Sequence, residues 1–265
     1  MSRIGASDLN LKNGERALVV VAHPDDETIW MGGTILKFPR AKWTIFSLCR
    51  GDDRDRAPKF KRVCRFLSAK GVISDLEDEE VLSLKESLPE IRLRLRNFLF
   101  ASQNRGSIRS SGGLSTTSRR DESRLGGTPS SSRLREFLRD KQKISPPPIT
   151  SLHKFNERGG GMEFDYVFTH GYNGEYGHPR HKGVHRAVAE MIRAGEIRTK
   201  HFFNFSYEFL ERKNVCRPKK AEFFLELSPT VFKKKQKIIN EFYGFRKSTF
   251  EYRTLSNVES FKLIK

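Results

Sequence analysis

The strongest constraint on this chain is the way short, unbroken apolar runs alternate with stretches of helical period. Ala17–Ala22 (A-L-V-V-V-A) and Trp43–Cys49 (W-T-I-F-S-L-C) carry no polar alternation, so both faces of these segments must be covered. Between them Thr28–Phe38 reads as a helix. Next, Phe60, Val63, Cys64 and Leu67 recur at i, i+3, i+4 and i+7, so Pro58–Lys70 reads as an amphipathic helix opened by proline. Val72–Leu76 is expected as a strand and Leu88–Phe100 as a helix. Later in the chain, Tyr166–His170 is expected as a strand. A helix is marked by Val184, Ala187, Val188, Met191 and Ile192, strands by His201–Ser206 and Ala221–Leu227, and a closing helix by Thr230–Tyr243. Strand–helix alternation of this kind predicts an α/β sandwich with a mostly parallel sheet. Ligands of such folds bind beyond the carboxyl ends of the strands.

The region from Ala101 to Gly161 breaks that pattern. Of its 61 residues, 28 are Ser, Gly, Thr or Pro. So little apolar surface cannot offset the entropy of ordering a chain. The reading is therefore one domain over residues 1–265, interrupted by a low-complexity and disordered insertion at 101–161. A short helix near Arg133–Lys141 is its one expected element. The formal charge of +18 is spread over this insertion and over solvated helix faces such as Lys233–Lys237. Only Phe137 and Phe155 interleave the basic residues of the insertion, which argues against base stacking, and no specific nucleic acid is expected. No apolar run approaches the ~20 residues that a bilayer span requires. Three scattered cysteines, Cys49, Cys64 and Cys216, exclude a disulfide framework. The opening M-S-R-I-G-A-S-D lacks the apolar stretch of a secretory signal, so a cytoplasmic location is expected.

Two polar clusters sit at expected strand ends. The first is A-H-P-D-D-E, Ala22–Glu27. The second is H-G-Y-N-G-E-Y-G-H-P-R-H-K-G-V-H, His170–His185, which holds four of the seven histidines. His23 and a carboxylate three residues on can converge on one cation, and His181 on the neighbouring loop supplies a third ligand. Two imidazoles and one carboxylate leave a coordination position open, as in catalytic zinc sites. Asp25 is then free to act as a base. Either motif alone also fits an ordinary turn or helix cap; it is their pairing that points to metal. His185 is read as a helix-packing residue.

A-H-P-D-D-E after a strand, followed late in the chain by Y-G-H-P-x-H, resembles the PIG-L/LmbE-like deacetylases. The likeness runs over about 16–98 and 164–261. It implies a Rossmann-like three-layer α/β sandwich and a zinc-dependent hydrolase, with Fe2+ as a possible native metal, that removes the N-acetyl group of an N-acetylglucosamine-type sugar conjugate. By the resemblance His23, Asp26 and His181 bind zinc and Asp25 is general base on the zinc-bound water. His178 acts as a cationic oxyanion stabiliser and acid, and Tyr176 contacts the same oxygen. Arg56 and Asp78 fall near positions that touch substrate hydroxyls. The chain departs from the family pattern at Arg180, where many members carry an acid; a cation there is expected to depress the pKa of His178. No spanning helix is seen, and the partner implied is a small soluble molecule. Two rival readings are a non-haem Fe(II) oxygenase, whose facial triad His23, Asp25 and a distant histidine would also fit, and a non-catalytic protein that binds RNA or acidic lipid through its insertion.

Overall fold

A computed structural model describes residues 9–78, 84–107 and 162–264. The fold set out below lies in one compact unit, Met1–Ser102 with Gly161–Lys265; a second unit, Gln103–Gly160, contributes to the described residues only the end of one helix. The first strand, β1 (Arg16–Val21), leads to α1 (Asp26–Lys37), β2 (Lys42–Cys49), α2 (Arg56–Phe66), β3 (Lys70–Leu76) and α3 (Leu84–Ser107). After it come β4 (Met162–Thr169), a short helical turn α4 (Gly174–Gly177), α5 (Pro179–Arg193) and β5 (Ile197–Phe205). The C-terminal part holds a hairpin of β6 (Tyr207–Leu210) and β7 (Val215–Pro218), then β8 (Phe223–Glu226), α6 (Pro229–Lys237), α7 (Phe250–Thr254) and β9 (Val258–Ile264).

Seven strands form one sheet in the order β3-β2-β1-β4-β5-β9-β8. The first five are parallel, while β9, next to the far edge, pairs antiparallel with both β5 and β8. Alternation along β1 shows why its run is apolar throughout. Ala17, Val19 and Val21 face a core built with α1, α2 and the segment around Ile238–Tyr243, whereas Leu18, Val20 and Ala22 face one built with α3 and α5. Each fully buried aliphatic side chain contributes about 1.5–3 kcal/mol, so a polar residue on either face of β1 would cost stability. The result is a three-layer sandwich with helices on both sides of a mostly parallel sheet.

Most expected elements are present with boundaries moved by a few residues. Three differences stand out. Helix α3 continues to Ser107, past the point where the low-complexity insertion was placed to begin. The closing helix, expected as one piece over 230–243, ends at Lys237 and passes into a π-helical turn, Ile238–Phe242. The β6–β7 hairpin, α7 and β9 carry no periodic signal long enough to be read. The helix expected near 133–141 lies outside the described residues, as does the bulk of the insertion. Among the described residues, no helix is long and apolar enough to cross a membrane.

The strand order carries the functional consequence. From β1 the chain crosses to β2 on one side, while β4 lies against β1 on the other. Loops leaving the carboxyl ends of β1 and β4 therefore part and open a crevice at this switch point. Both histidine clusters are on those two loops.

Candidate metal centre and catalytic cleft

His23 leaves the end of β1, and Asp25 and Asp26 follow at the mouth of α1. The turn is tight: Asp25 sits at φ 116°, a backbone region that side chains rarely occupy. What holds it there is Glu27, fully buried, whose Oε2 accepts the Asp25 N–H at 3.0 Å. The other oxygen of Glu27 accepts from the Thr28 hydroxyl at 2.6 Å and the Tyr243 hydroxyl at 2.9 Å. Burial pushes the Glu27 carboxyl up to about 7. Asp26 is fixed on all sides: Oδ2 accepts the His23 N–H at 2.8 Å and Oδ1 accepts the Trp30 indole N–H at 2.9 Å.

The second loop closes the site. Gly174 (φ +65°) and Gly177 (φ +94°) allow the chain to reverse between β4 and α5, and between them Glu175 itself adopts φ 55°. A Cβ at Gly174 would also come within 3.0 Å of Lys182 Cγ. Glu175 is 1% exposed and accepts from three directions. Its Oε1 takes the Gly171 N–H at 2.7 Å, and its Oε2 lies 2.6 Å from His181 Nδ1 and 2.8 Å from His170 Nδ1. With Nδ1 of His181 donating to Glu175, Nε2 is left with its lone pair facing the crevice. Burial holds the His181 pKa below its ordinary value, which keeps that lone pair free. His170 stacks on His181 with ring centroids 3.8 Å apart, and its Nε2 accepts the Ala22 N–H at 3.0 Å.

Three ligand atoms meet as a result. His23 Nδ1 lies 3.3 Å from Asp26 Oδ2, His181 Nε2 lies 3.4 Å from Asp26 Oδ2, and the two nitrogens are 3.4 Å apart. An ion bonded at ~2.0–2.1 Å to three tetrahedral donors separates them by roughly 3.4 Å. The triangle, together with its His₂-carboxylate donor set, fits a divalent ion such as zinc. The same three residues are among those whose ligand atoms cluster closely enough to hold a metal. Charge balance points the same way: burial opposes protonation of His23, yet hydrogen bonds to Asp26 and Asp78 raise its pKa to about 10. Without an ion a proton takes the cation's place between these groups, and an ion would have to displace it.

Every candidate ligand, catalytic and substrate-contacting residue singled out in the sequence lies in or directly against this crevice, but some arrive in unexpected company. Asp78 was expected on substrate hydroxyls; its Oδ1 instead lies 2.6 Å from His23 Nε2, and its Oδ2 accepts two bonds from the Arg50 guanidinium, the shorter at 2.6 Å. Arg56, expected in the same role, donates to Asp25 Oδ2 at 2.7 Å and stacks over the Phe245 ring. Burial and the neighbouring Asp26 push the Asp25 pKa up, and Arg56 draws it back. His178 was expected as a cation. Burial, then the adjacent His181 and His23 imidazoles, lower its pKa to about 4. As N-cap of α5 its Nδ1 accepts the Arg180 N–H at 3.2 Å, so the ring is neutral and presents Nε2–H to the crevice. Tyr176 packs edge-on against both His178 and His181 and lines the opening with Phe250 and Glu251. The cleft has a volume of about 180 Å³. His185, read as a packing residue, places Nδ1 3.1 Å from the His170 carbonyl oxygen.

Glu175, Glu27, Trp30 and Arg50 are the supporting residues that sequence reasoning did not assign. Two of them carried a signal: Glu27 closes the A-H-P-D-D-E cluster, and Glu175 is an acid between two glycines inside the histidine cluster.

The sequence profile of the family described as GlcNAc-PI de-N-acetylase (PIG-L) matches residues 18–192. Among solved structures, N,N'-diacetylchitobiose deacetylase from Pyrococcus horikoshii is similar with a TM-score of 0.53 at 13% identity, over 95% of this chain and 84% of that one. The conserved protein TT1542 from Thermus thermophilus gives 0.51 at 15%, over 94% of each chain. GalB, the 4-carboxy-2-hydroxymuconate hydratase from Pseudomonas putida, gives 0.51 at 14%, over 91% of this chain and 83% of that one. At these identities the likeness speaks for the fold. No curated protein sequence matches the chain.

Proposed function

The chain belongs to the GlcNAc-PI de-N-acetylase (PIG-L) family, and from that premise we propose that it is a metal-dependent hydrolase removing the N-acetyl group of an N-acetylglucosamine-type sugar conjugate. The observation that carries this reading is the triangle of His23 Nδ1, Asp26 Oδ2 and His181 Nε2, with edges of 3.3, 3.4 and 3.4 Å. These three residues would hold the ion, zinc by donor type. Bound there, zinc lowers the pKa of water to about 7 and polarises a carbonyl.

The remaining chemistry belongs to the chain's own groups. Asp25, with one oxygen held by Arg56, takes the proton of the attacking water. His178 Nε2–H and the Tyr176 hydroxyl donate to the acetyl oxygen as it gains charge; losing one such donor typically costs about 10²–10³ in rate. The proton held by Asp25 then passes to the departing amine, so the products are acetate and a free amino sugar. Burial of the carboxylates keeps bulk water from competing with these contacts.

Metal content and acetate release, measured on N-acetylglucosamine conjugates, test the assignment. Asp25→Ala is expected to keep the metal and lose about 10²–10⁴ in turnover, whereas His181→Ala loses the metal. The opposite pattern would reverse the roles. The oxygenase reading loses ground because helices cover both faces of this sheet. Binding through the insertion concerns residues that lie mostly outside the described ones.

A further inference from the structure

Helix α1 is not continuous. Met31, at φ −149° and ψ 16°, breaks it after its first five residues. In an unbroken helix the Gly33 and Thr34 N–H groups would bond to the carbonyls of Ile29 and Trp30. Here both donors and the Trp30 carbonyl are met from elsewhere. Glu259 on β9 accepts the Gly33 N–H at 2.8 Å through Oε1, and the Thr34 N–H and hydroxyl through Oε2, each at 2.7 Å. The Trp30 carbonyl accepts the Tyr207 hydroxyl from β6 at 2.9 Å. Lys235 on α6 completes the arrangement, its Nζ donating to Glu259 Oε1 at 2.6 Å; both side chains are wholly buried.

A buried ion pair is a poor source of net stability, because the cost of removing two charges from water rivals their attraction. Its position explains it better. Residues before the break carry Asp26, and Trp30, the last of them, donates its indole N–H to Asp26 Oδ1. The Tyr207 ring packs on that indole with centroids 5.0 Å apart. Residues after the break are locked against the C-terminal segment, where a Cβ on Gly33 would come within 2.3 Å of Leu227. A straight α1 could not keep both.

We propose that Tyr207 and the Glu259–Lys235 pair are positioning residues for the metal-binding carboxylate: they hold the bend in α1 that places Asp26 Oδ2 against the two imidazole nitrogens. This rests on the hydrolase reading only where the ion is concerned; the claim about Trp30 and Asp26 stands apart from it.

The test uses a Trp43→Phe background, so that Trp30 is the only indole. Tyr207→Phe and the paired change Lys235→Met with Glu259→Gln are compared with Leu95→Ala, a core change on the opposite face of the sheet. Zinc or cobalt affinity, Trp30 emission in the metal-free protein and Tm are measured on each. Tyr207→Phe and the paired variant are expected to bind metal about 10–100-fold more weakly and to shift Trp30 emission, while Leu95→Ala lowers Tm and leaves both unchanged. Affinity and emission unaltered in Tyr207→Phe would overturn the proposal, as would a loss of affinity in Leu95→Ala that follows Tm alone. Should the paired variant not fold, Tyr207→Phe decides by itself. A wild-type chain that takes up no divalent ion would sink the hydrolase reading, and Trp30 emission would then decide this one.

Discussion

Asp78 shows how far a residue's role depends on what stands beside it. Its distance in sequence from His23, 55 positions, hid the 2.6 Å contact between them. That contact gives Asp78→Asn a discriminating outcome. If Asp78 orients His23, metal affinity falls about 10–100-fold and the shortfall in activity is recovered by excess metal. If it serves the sugar alone, KM rises with metal content unchanged; titration against a chelator with steady-state kinetics separates the two. Arg56 invites a similar reading. Its guanidinium restrains Asp25, so Arg56→Ala is expected to lower kcat about tenfold or more through a misplaced base, with metal content intact. The candidate ligands His23, Asp26 and His181, and Asp25 beside them, could be singled out because His, Pro and paired Asp at a strand end are a rare combination with few uses. Glu175 and Glu27 were not, since a buried acid looks like any other acid until its donors are known.

Among the elements, those with long periodic patterns were legible and the short ones were not. Both faces of α5 and β1 are written in their apolar spacing, but four- and five-residue pieces such as β6, β7 and α7 contain no more than two full periods. The bend in α1 was equally hidden, because D-E-T-I-W-M-G-G-T-I-L-K is an acceptable helix by composition. Its twin glycines are the trace it leaves. Gly33 is required by contact with Leu227, so Gly33→Ala, which would ordinarily favour a helix, is expected to destabilise by about 1–3 kcal/mol. Thermal denaturation measures it; an unchanged or raised Tm would show that Leu227 yields freely.

For the molecule as a whole, the helices on one face of the sheet are tied to each other by charge as well as by apolar packing. Glu196, at the turn between α5 and β5, binds Arg92 at 2.9 Å and Arg96 at 2.6 Å, both from α3. Although burial raises the Glu196 pKa, its bonds to Arg96 and Arg92 lower it further, and the net shift is downward. A carboxyl depressed on folding contributes stability above its unfolded pKa of about 4.3 and loses it as pH falls through the lower folded value. Glu196→Gln is therefore expected to lower stability at pH 7 by about 0.5–1 kcal/mol, given the partial exposure of Arg92 and Arg96, and to flatten the loss of stability as pH falls below the ordinary carboxylate range. Denaturant midpoints across that range give the answer; identical slopes in both proteins would remove Glu196 as a cause. Apolar runs with two covered faces, separated by amphipathic helices, determined the layered α/β class from the chain alone, because burial is enforced locally at every residue. The same was true of which polar clusters would lie at strand ends. What tertiary structure decided was the strand order that sets β4 beside β1, and with it the 3.4 Å approach of His23 and His181, the neutrality of His178 and the bent helix under Asp26. Such distances follow from how remote segments close on one another, which no local pattern records.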